Sequence, residues 1–119
     1  MGIRVQIGEQ KVPGTEPQKI DVTINVDNKG GGGGTFQADV NSTYPTDTFT
    51  YVANSASPMP DSTTAGQITW NNRTIQDSGT RFTYAVTCNS QGKNGVITAQ
   101  ACTAGSKTDC DSSSVSVSC

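Results

Sequence analysis

The four cysteines are the residues of this sequence with the most chemistry available to them. Cys88, Cys102, Cys110 and Cys119 all lie in the last third of the 119-residue chain. No two of them form the Cys-x-x-Cys pair of a typical zinc site, and the sequence contains no histidine. Disulfides are therefore favoured over a metal site. Four cysteines in so small a chain are typical of proteins that finish in an oxidising environment.

Strand parity favours one pairing of these cysteines. If the last three strands run up, down and up, Cys88 and Cys119 end at the same pole. Cys102 and Cys110 then flank the turn at the opposite pole. Cys88 and Cys119 both share a face with apolar neighbours, whereas Cys102 is out of phase with the apolar residues of its strand. We predict a buried Cys88–Cys119 bond and an exposed Cys102–Cys110 bond, although three connectivities remain open.

The other polar residues do not assemble a catalytic group. Without histidine, no Ser-His or Cys-His nucleophile pair can form within the chain. Asp109 and Asp111 flank Cys110 and could contribute to a calcium site in a loop. A solvated turn is the favoured interpretation. We expect a protein that is not an enzyme and has no catalytic residue, no cofactor and no metal. The aspartates are mostly single and lie in predicted loops: Asp27, Asp47, Asp61, Asp77, Asp109 and Asp111.

A run of five glycines follows the second predicted strand. Lys29 precedes the run and Thr35 follows it, which is the wrong order for a phosphate-binding loop. The run is either a mobile turn or a surface without side chains that another chain's backbone can approach. The five residues are Gly30, Gly31, Gly32, Gly33 and Gly34.

Three further residues each have a functional and a structural interpretation. Asn41 and Asn72 begin Asn-x-Ser/Thr sequons, which are glycosylation candidates, although chance matches are expected in a chain this rich in Asn, Ser and Thr. Trp70 could stack on a sugar. Its alternation with Ile68 favours core packing instead.

Strict alternation of apolar and polar residues defines the elements that must hold these groups. The stretch from Gly66 to Cys88 reads as a strand, a turn at Asp77-Ser78-Gly79 and a longer strand. Ile20 to Val26 forms the cleanest strand. The longest loop is predicted from Asn54 to Gly66, and Asn94-Gly95 is predicted to reverse the chain.

The N-terminal strand has two interpretations. Ile3, Val5 and Ile7 alternate with polar residues, which predicts a strand. We favour pairing within its own domain. The alternative is an arm lent to a neighbouring subunit, in which case these residues contact the partner.

The whole pattern predicts an all-β protein. Seven to nine short strands and no helical periodicity indicate an antiparallel β-sandwich with Greek-key connections, formed by one domain spanning residues 1–119. The net charge of −2 and the pI near 4.8 argue against nucleic acid or an anionic membrane as partner. The sequence has no apolar run that could insert into a membrane, and its first ten residues lack a signal-peptide core.

Several segments taken together resemble a known family. Pro13-Gly14-Thr15, IDVTINVDNKG, FTYVANSASP, GQITWNN, RFTYAVTC and GVITAQAC follow the order of motifs in the conserved repeat domain of prokaryotic cell-surface proteins. The resemblance covers roughly residues 3–118. It implies an immunoglobulin-like sandwich used as a spacer, stalk or assembly module, and it supplies no catalytic residues. The glycine run and the four cysteines depart from the pattern.

Two functional hypotheses follow. The first is a structural virion component, such as a capsid decoration or cement protein, because the chain begins at Met1 without a signal. The alternative is a module of a secreted cell-surface protein or extracellular filament, which accounts for the cysteines and sequons. Both expect protein subunits of a larger assembly as partners, with the N-terminal strand as one candidate contact, and a location in the virion or outside the cell.

Overall fold

Two antiparallel β-sheets, packed face to face, make up the computed structural model, which describes residues 2–29, 34–105 and 109–119. The described residues form nine strands and no helix, so no helix here is long and apolar enough to cross a membrane. The predicted all-β, immunoglobulin-like sandwich is confirmed. The strands are β1 (Ile3–Val12), β2 (Lys19–Asn28), β3 (Phe36–Thr43), β4 (Phe49–Tyr51), β5 (Ser62–Thr64), β6 (Gln67–Ile75), β7 (Thr80–Cys88), β8 (Asn94–Thr103) and β9 (Cys110–Ser118).

The strand order places the chain's alternating apolar residues between the two sheets. One sheet has the order β1-β2-β7-β4 and the other β5-β6-β3-β8-β9. Alternate residues of a strand point to opposite faces, so each sheet presents one apolar face to the other. The largest fully buried side chains come from both sheets: Trp70, Tyr84, Phe49, Phe82, Ile20, Ile24, Ile68, Ile75 and Ile97.

The strands run along the long axis of the molecule, which measures 43 Å, and this gives the sandwich two poles. Ile3 pairs with Asn28 at one end, which we call the amino-terminal pole. Val12 pairs with Lys19 at the other end, the carboxyl-terminal pole. β1, β7 and β9 all run from the amino-terminal to the carboxyl-terminal pole, because each pairs antiparallel with a strand that runs back.

Two local predictions from the sequence were wrong. The long loop contains a short edge strand, β5, paired with β6. Asn94-Gly95 does not reverse the chain, because both residues belong to β8 and the turn precedes them. Gly95 is there for packing: a Cβ at this position would lie 2.8 Å from both Phe49 Cε2 and Pro45 Cγ.

Candidate functional site

The N-terminal strand is built into its own domain. β1 pairs with β2 along its full length. Ile3 and Val5 are each 4% exposed and belong to the core, while Ile7 is half-buried and packs against it. The favoured pairing of this strand within its own domain is what the structure shows, and the alternative contact of these three side chains with a partner subunit gains no support from it. Their apolar surface is already covered by the opposite sheet.

Two carboxylates fasten the start of β1 to the other sheet. Asp111 Oδ2 accepts a hydrogen bond of 2.8 Å from the Val5 backbone N–H. Asp109 Oδ1 accepts one of 3.4 Å from the Ile3 N–H. We call Asp109 and Asp111 the carboxylate clamp. It satisfies backbone donors on an edge strand, which would otherwise be free to pair with another chain.

The clamp is a role that neither interpretation of these aspartates from sequence included. Their carboxylates accept hydrogen bonds from the backbone of β1. Within residues 2–29, 34–105 and 109–119, no group of three or more potential ligands could hold a metal ion. Sequence reasoning missed the clamp because more than a hundred residues separate each acceptor from its donor.

Gly34 is the one residue of the glycine run among the described residues. Gly30 to Gly33 lie outside the described residues, so the suggested partner contact there remains a prediction. Gly34 has a φ of +79°, and its N–H donates to Asp77 Oδ1 at 3.2 Å. This bond ties the end of the glycine run to the turn between β6 and β7.

The cysteines form two disulfides, one at each pole. Cys88 is bonded to Cys119 at the carboxyl-terminal pole, with a Cα–Cα distance of 5.8 Å. Cys102 is bonded to Cys110 at the amino-terminal pole. The pairing predicted from parity is confirmed, whereas the difference in burial is partial: Cys88 is buried, Cys110 is exposed, and Cys119 and Cys102 are both half-buried. The first bond joins the two sheets at β7 and the end of β9, and the second closes the β8–β9 hairpin.

The outer face of the five-stranded sheet is uncharged over its central area. Two cross-strand rows run over all five strands, and every side chain in them is a partly or fully exposed hydroxyl or amide. We call these rows the polar face. One row contains Thr64, Gln67, Thr43, Thr98 and Ser114, and the other contains Ser62, Thr69, Asn41, Gln100 and Ser112.

The outer face of the four-stranded sheet differs in charge. Arg4 forms an ion pair with Asp27 at 2.6 Å, and hydrogen bonds from its guanidinium hold the pKa of Asp27 below its ordinary value. Lys19, Asp21 and Arg81 also lie on this face. The two outer surfaces therefore offer a partner different chemistry.

The two sequons lie on the five-stranded sheet. Asn41 sits within the polar face on β3 and is half-exposed. Asn72 is exposed on β6 with a φ of +52°, and its backbone N–H donates to Asp39 Oδ1 at 2.7 Å. Both positions are on the surface, and their glycosylation remains a prediction.

Trp70 belongs to the core, as its parity with Ile68 predicted. Its side chain is fully buried and its ring lies 5.2 Å from that of Phe82. The indole N–H donates to the Pro58 carbonyl at 2.7 Å, which ties the long loop to β6. Trp70 is thus unavailable as a sugar-stacking platform.

A buried hydroxyl pair crosses the core. Ser42 Oγ and Tyr84 OH are 2.8 Å apart, and Ser42 also donates to the Thr98 carbonyl. Burial raises the pKa of Tyr84, so its phenol stays protonated. Both hydroxyls have hydrogen-bond partners and join the two sheets rather than face a ligand.

Comparison with known proteins supports the fold. No protein-family model matches the chain, and the search of curated proteins finds no match. Among solved structures, the chain is similar to a cohesin module from a family 33 glycoside hydrolase of Clostridium perfringens ATCC13124. The two are 13% identical with a TM-score of 0.52, over 98% of this chain and 96% of that one. At this identity the likeness shows a shared β-sandwich fold.

Proposed function

We propose that the chain is a non-enzymatic module of a protein that works outside the cell or on its surface, where it serves as a spacer or as a docking unit. The observation that carries the proposal is the pair of disulfides, one at each pole. Disulfides persist in oxidising compartments and supplement a core that is small in a domain of this size.

Other features support this proposal. The solved structure that it resembles is a module of a larger enzyme, which makes a modular role the natural analogy. The core takes side chains from eight of the nine strands, all except the exposed β5, which supports residues 1–119 as one folding unit. The described residues contribute buried hydroxyls and bonded carboxylates rather than a converging set of reactive groups. Nothing observed favours the capsid-decoration hypothesis.

Protein subunits are the proposed partners, and the polar face is the proposed contact surface. The central parts of protein interfaces are depleted in charge, and the two rows of the polar face are uncharged, whereas the opposite face carries the Arg4–Asp27 ion pair together with Lys19, Asp21 and Arg81. Without large apolar side chains, the contact is expected to be weak or to need several copies of the module.

Localisation in the natural source tests the proposal. We expect intact mass spectrometry without reductant to find the chain four hydrogens lighter than its reduced form, and protease treatment of whole cells to remove it. A cytoplasmic protein with four free thiols would contradict the proposal. Co-purification with capsids would revive the virion hypothesis.

Photo-crosslinking tests the contact surface. A photoreactive residue replaces Gln100 on the polar face or, as matched control, Asn25 on the outer face of the other sheet; both positions are exposed. We expect a crosslinked protein partner from position 100 but not from position 25. Crosslinks from position 25 alone would place the contact on the charged face.

A further inference from the structure

The two ends of the chain leave the sandwich at opposite poles. Ile3 begins β1 at the amino-terminal pole, and Cys119 follows β9 at the carboxyl-terminal pole. Tension applied through the two ends therefore acts along the strands. Such tension loads all hydrogen bonds between two neighbouring strands together, whereas a force across the strands breaks them one after another.

The Cys88–Cys119 disulfide transmits this tension to β7. Cys119 is bonded to Cys88, the last residue of β7. A pull on residue 119 therefore reaches β7 through the disulfide, beside the backbone route into β9. Residues 89–118, which include all of β8 and β9, form a closed covalent loop beside this path.

From β7 the tension crosses the four-stranded sheet to reach β1. β2 lies between β1 and β7, pairing with ten residues of the former and eight of the latter. A pull at the N-terminus draws β1 toward the amino-terminal pole, and a pull at Cys119 draws β7 toward the opposite pole. The β1–β2 and β2–β7 hydrogen-bond ladders then oppose the sliding of the strands past one another, and all their hydrogen bonds share the load.

We propose that the module carries mechanical tension through β1, β2 and β7, and that the Cys88–Cys119 disulfide is a covalent bypass that keeps residues 89–118 from being extended. The inference deepens the proposed spacer function, and it rests on that function for its biological setting. The carboxylate clamp adds to the resistance, because Asp111 and Asp109 hold the first residues of β1 against the start of β9.

Single-molecule stretching of a polyprotein, with marker domains of known length beside this chain, tests the proposal. The bypass removes 31 residue steps from the extended length. At about 3.5 Å per residue, the oxidised chain should gain about 100 Å less length on unfolding than the fully reduced chain. Equal gains in the two states would overturn the proposal.

Two double variants separate the disulfides. Replacing Cys88 and Cys119 by serine, with the other disulfide intact, should lengthen the unfolding step by about 80 Å, since the 8-residue separation of Cys102 and Cys110 stays closed. Replacing Cys102 and Cys110 by serine should leave the step unchanged, because that bond lies wholly inside the bypassed loop. A longer step in the second variant would contradict the assigned path.

A change of pulling direction tests the mechanical claim itself. Ser78 is exposed in the turn between β6 and β7 at the amino-terminal pole, the pole where β1 begins. A click-reactive residue at position 78 lets the same folded, oxidised protein be pulled between residues 2 and 78, across the strands. We expect end-to-end pulling to need the higher unfolding force. An equal or lower end-to-end force would refute the tension-bearing role. It would not affect the proposed location outside the cell, which the mass spectrometry and protease experiments test.

Discussion

Gly95→Ala should destabilise the module although it adds a single methyl group. Gly95 lies within β8, paired with Val117. The new Cβ would stand 2.8 Å from Phe49 Cε2 and Pro45 Cγ, and 3.2 Å from Thr48 Cγ2. Carbon atoms pack best at about 3.5–4.0 Å, so at least one neighbour must move by about 0.7 Å or more. Phe49 is 1% exposed and has little free space to move into.

The expected magnitude follows from two opposing effects. Forcing an extra carbon into a packed site costs about 1–3 kcal/mol of unfolding free energy. Replacing glycine by alanine restricts the unfolded chain, which returns about 0.4–1 kcal/mol. The net loss should be about 1–2 kcal/mol. For a domain of this size, that corresponds to a fall in Tm of about 4–8 °C.

Urea and thermal unfolding of the oxidised protein measure the effect, and the chain provides a matched control. Gly8 also lies in a strand, β1, but a Cβ there would meet nothing within 4 Å. Gly8→Ala should therefore leave the midpoint unchanged or raise it slightly. If Gly95→Ala proved as harmless as Gly8→Ala, the argument that Gly95 is required by packing against Phe49 would be wrong.

Two further predictions concern carboxylates. Asp111→Ala removes the acceptor of the Val5 N–H and should lower the unfolding free energy by about 1.5–3 kcal/mol, whereas Asp111→Asn, which keeps an oxygen, should lose less; thermal melts, with the unbonded Asp21→Ala as control, check the order. Hydrogen bonds from Arg4 lower the pKa of Asp27 in the folded protein. The ion pair therefore stabilises the fold fully above the unfolded-state pKa of about 3.9. This stabilisation is lost as the pH falls through the lower folded-state pKa. The Tm difference between wild type and Asp27→Asn should therefore shrink on acidification below that pH, and a growing difference would contradict the assignment.

Local alternation was enough to predict the sandwich. Ile20 to Val26 alternates without interruption because one face of β2 is buried and the other is exposed, and the structure keeps that parity. Trp70 was correctly assigned to the core for the same reason. Side chains alternate between the two faces of any strand, so this pattern can be recognised in the sequence without knowledge of the tertiary contacts.

Features that depend on distant contacts could not be predicted. Asn94-Gly95 has the local signature of a turn, but the glycine is needed because Phe49 packs over it, 46 positions away in sequence. Ser42 is polar and fully buried, and its hydrogen bonds to Tyr84 across the core and to the Thr98 carbonyl explain its burial. The polar face could have been anticipated in part from the hydroxyl and amide residues at alternate positions of β8 and β9. The strand order β5-β6-β3-β8-β9, which makes the polar face continuous, could not have been anticipated from the sequence.

The two disulfides should separate thermodynamic from mechanical stability. By the entropy of loop closure, the Cys88–Cys119 bond, with a sequence separation of 31, contributes about 3–4 kcal/mol, and the Cys102–Cys110 bond, with a separation of 8, about 2–3 kcal/mol. Both values are large beside the 5–15 kcal/mol typical of a whole domain. Removing either bond should therefore lower Tm markedly, and removing the Cys88–Cys119 bond should lower it more.

Only one of the two removals should change the response to tension, because only the Cys88–Cys119 bond lies on the path between the chain ends. A bond retained solely for thermal stability could close a loop anywhere in the sandwich. A bond that joins residue 119 to the end of β7 also connects a pull to the four-stranded sheet and keeps residues 89–118 from being extended, and a spacer held under tension would use that property.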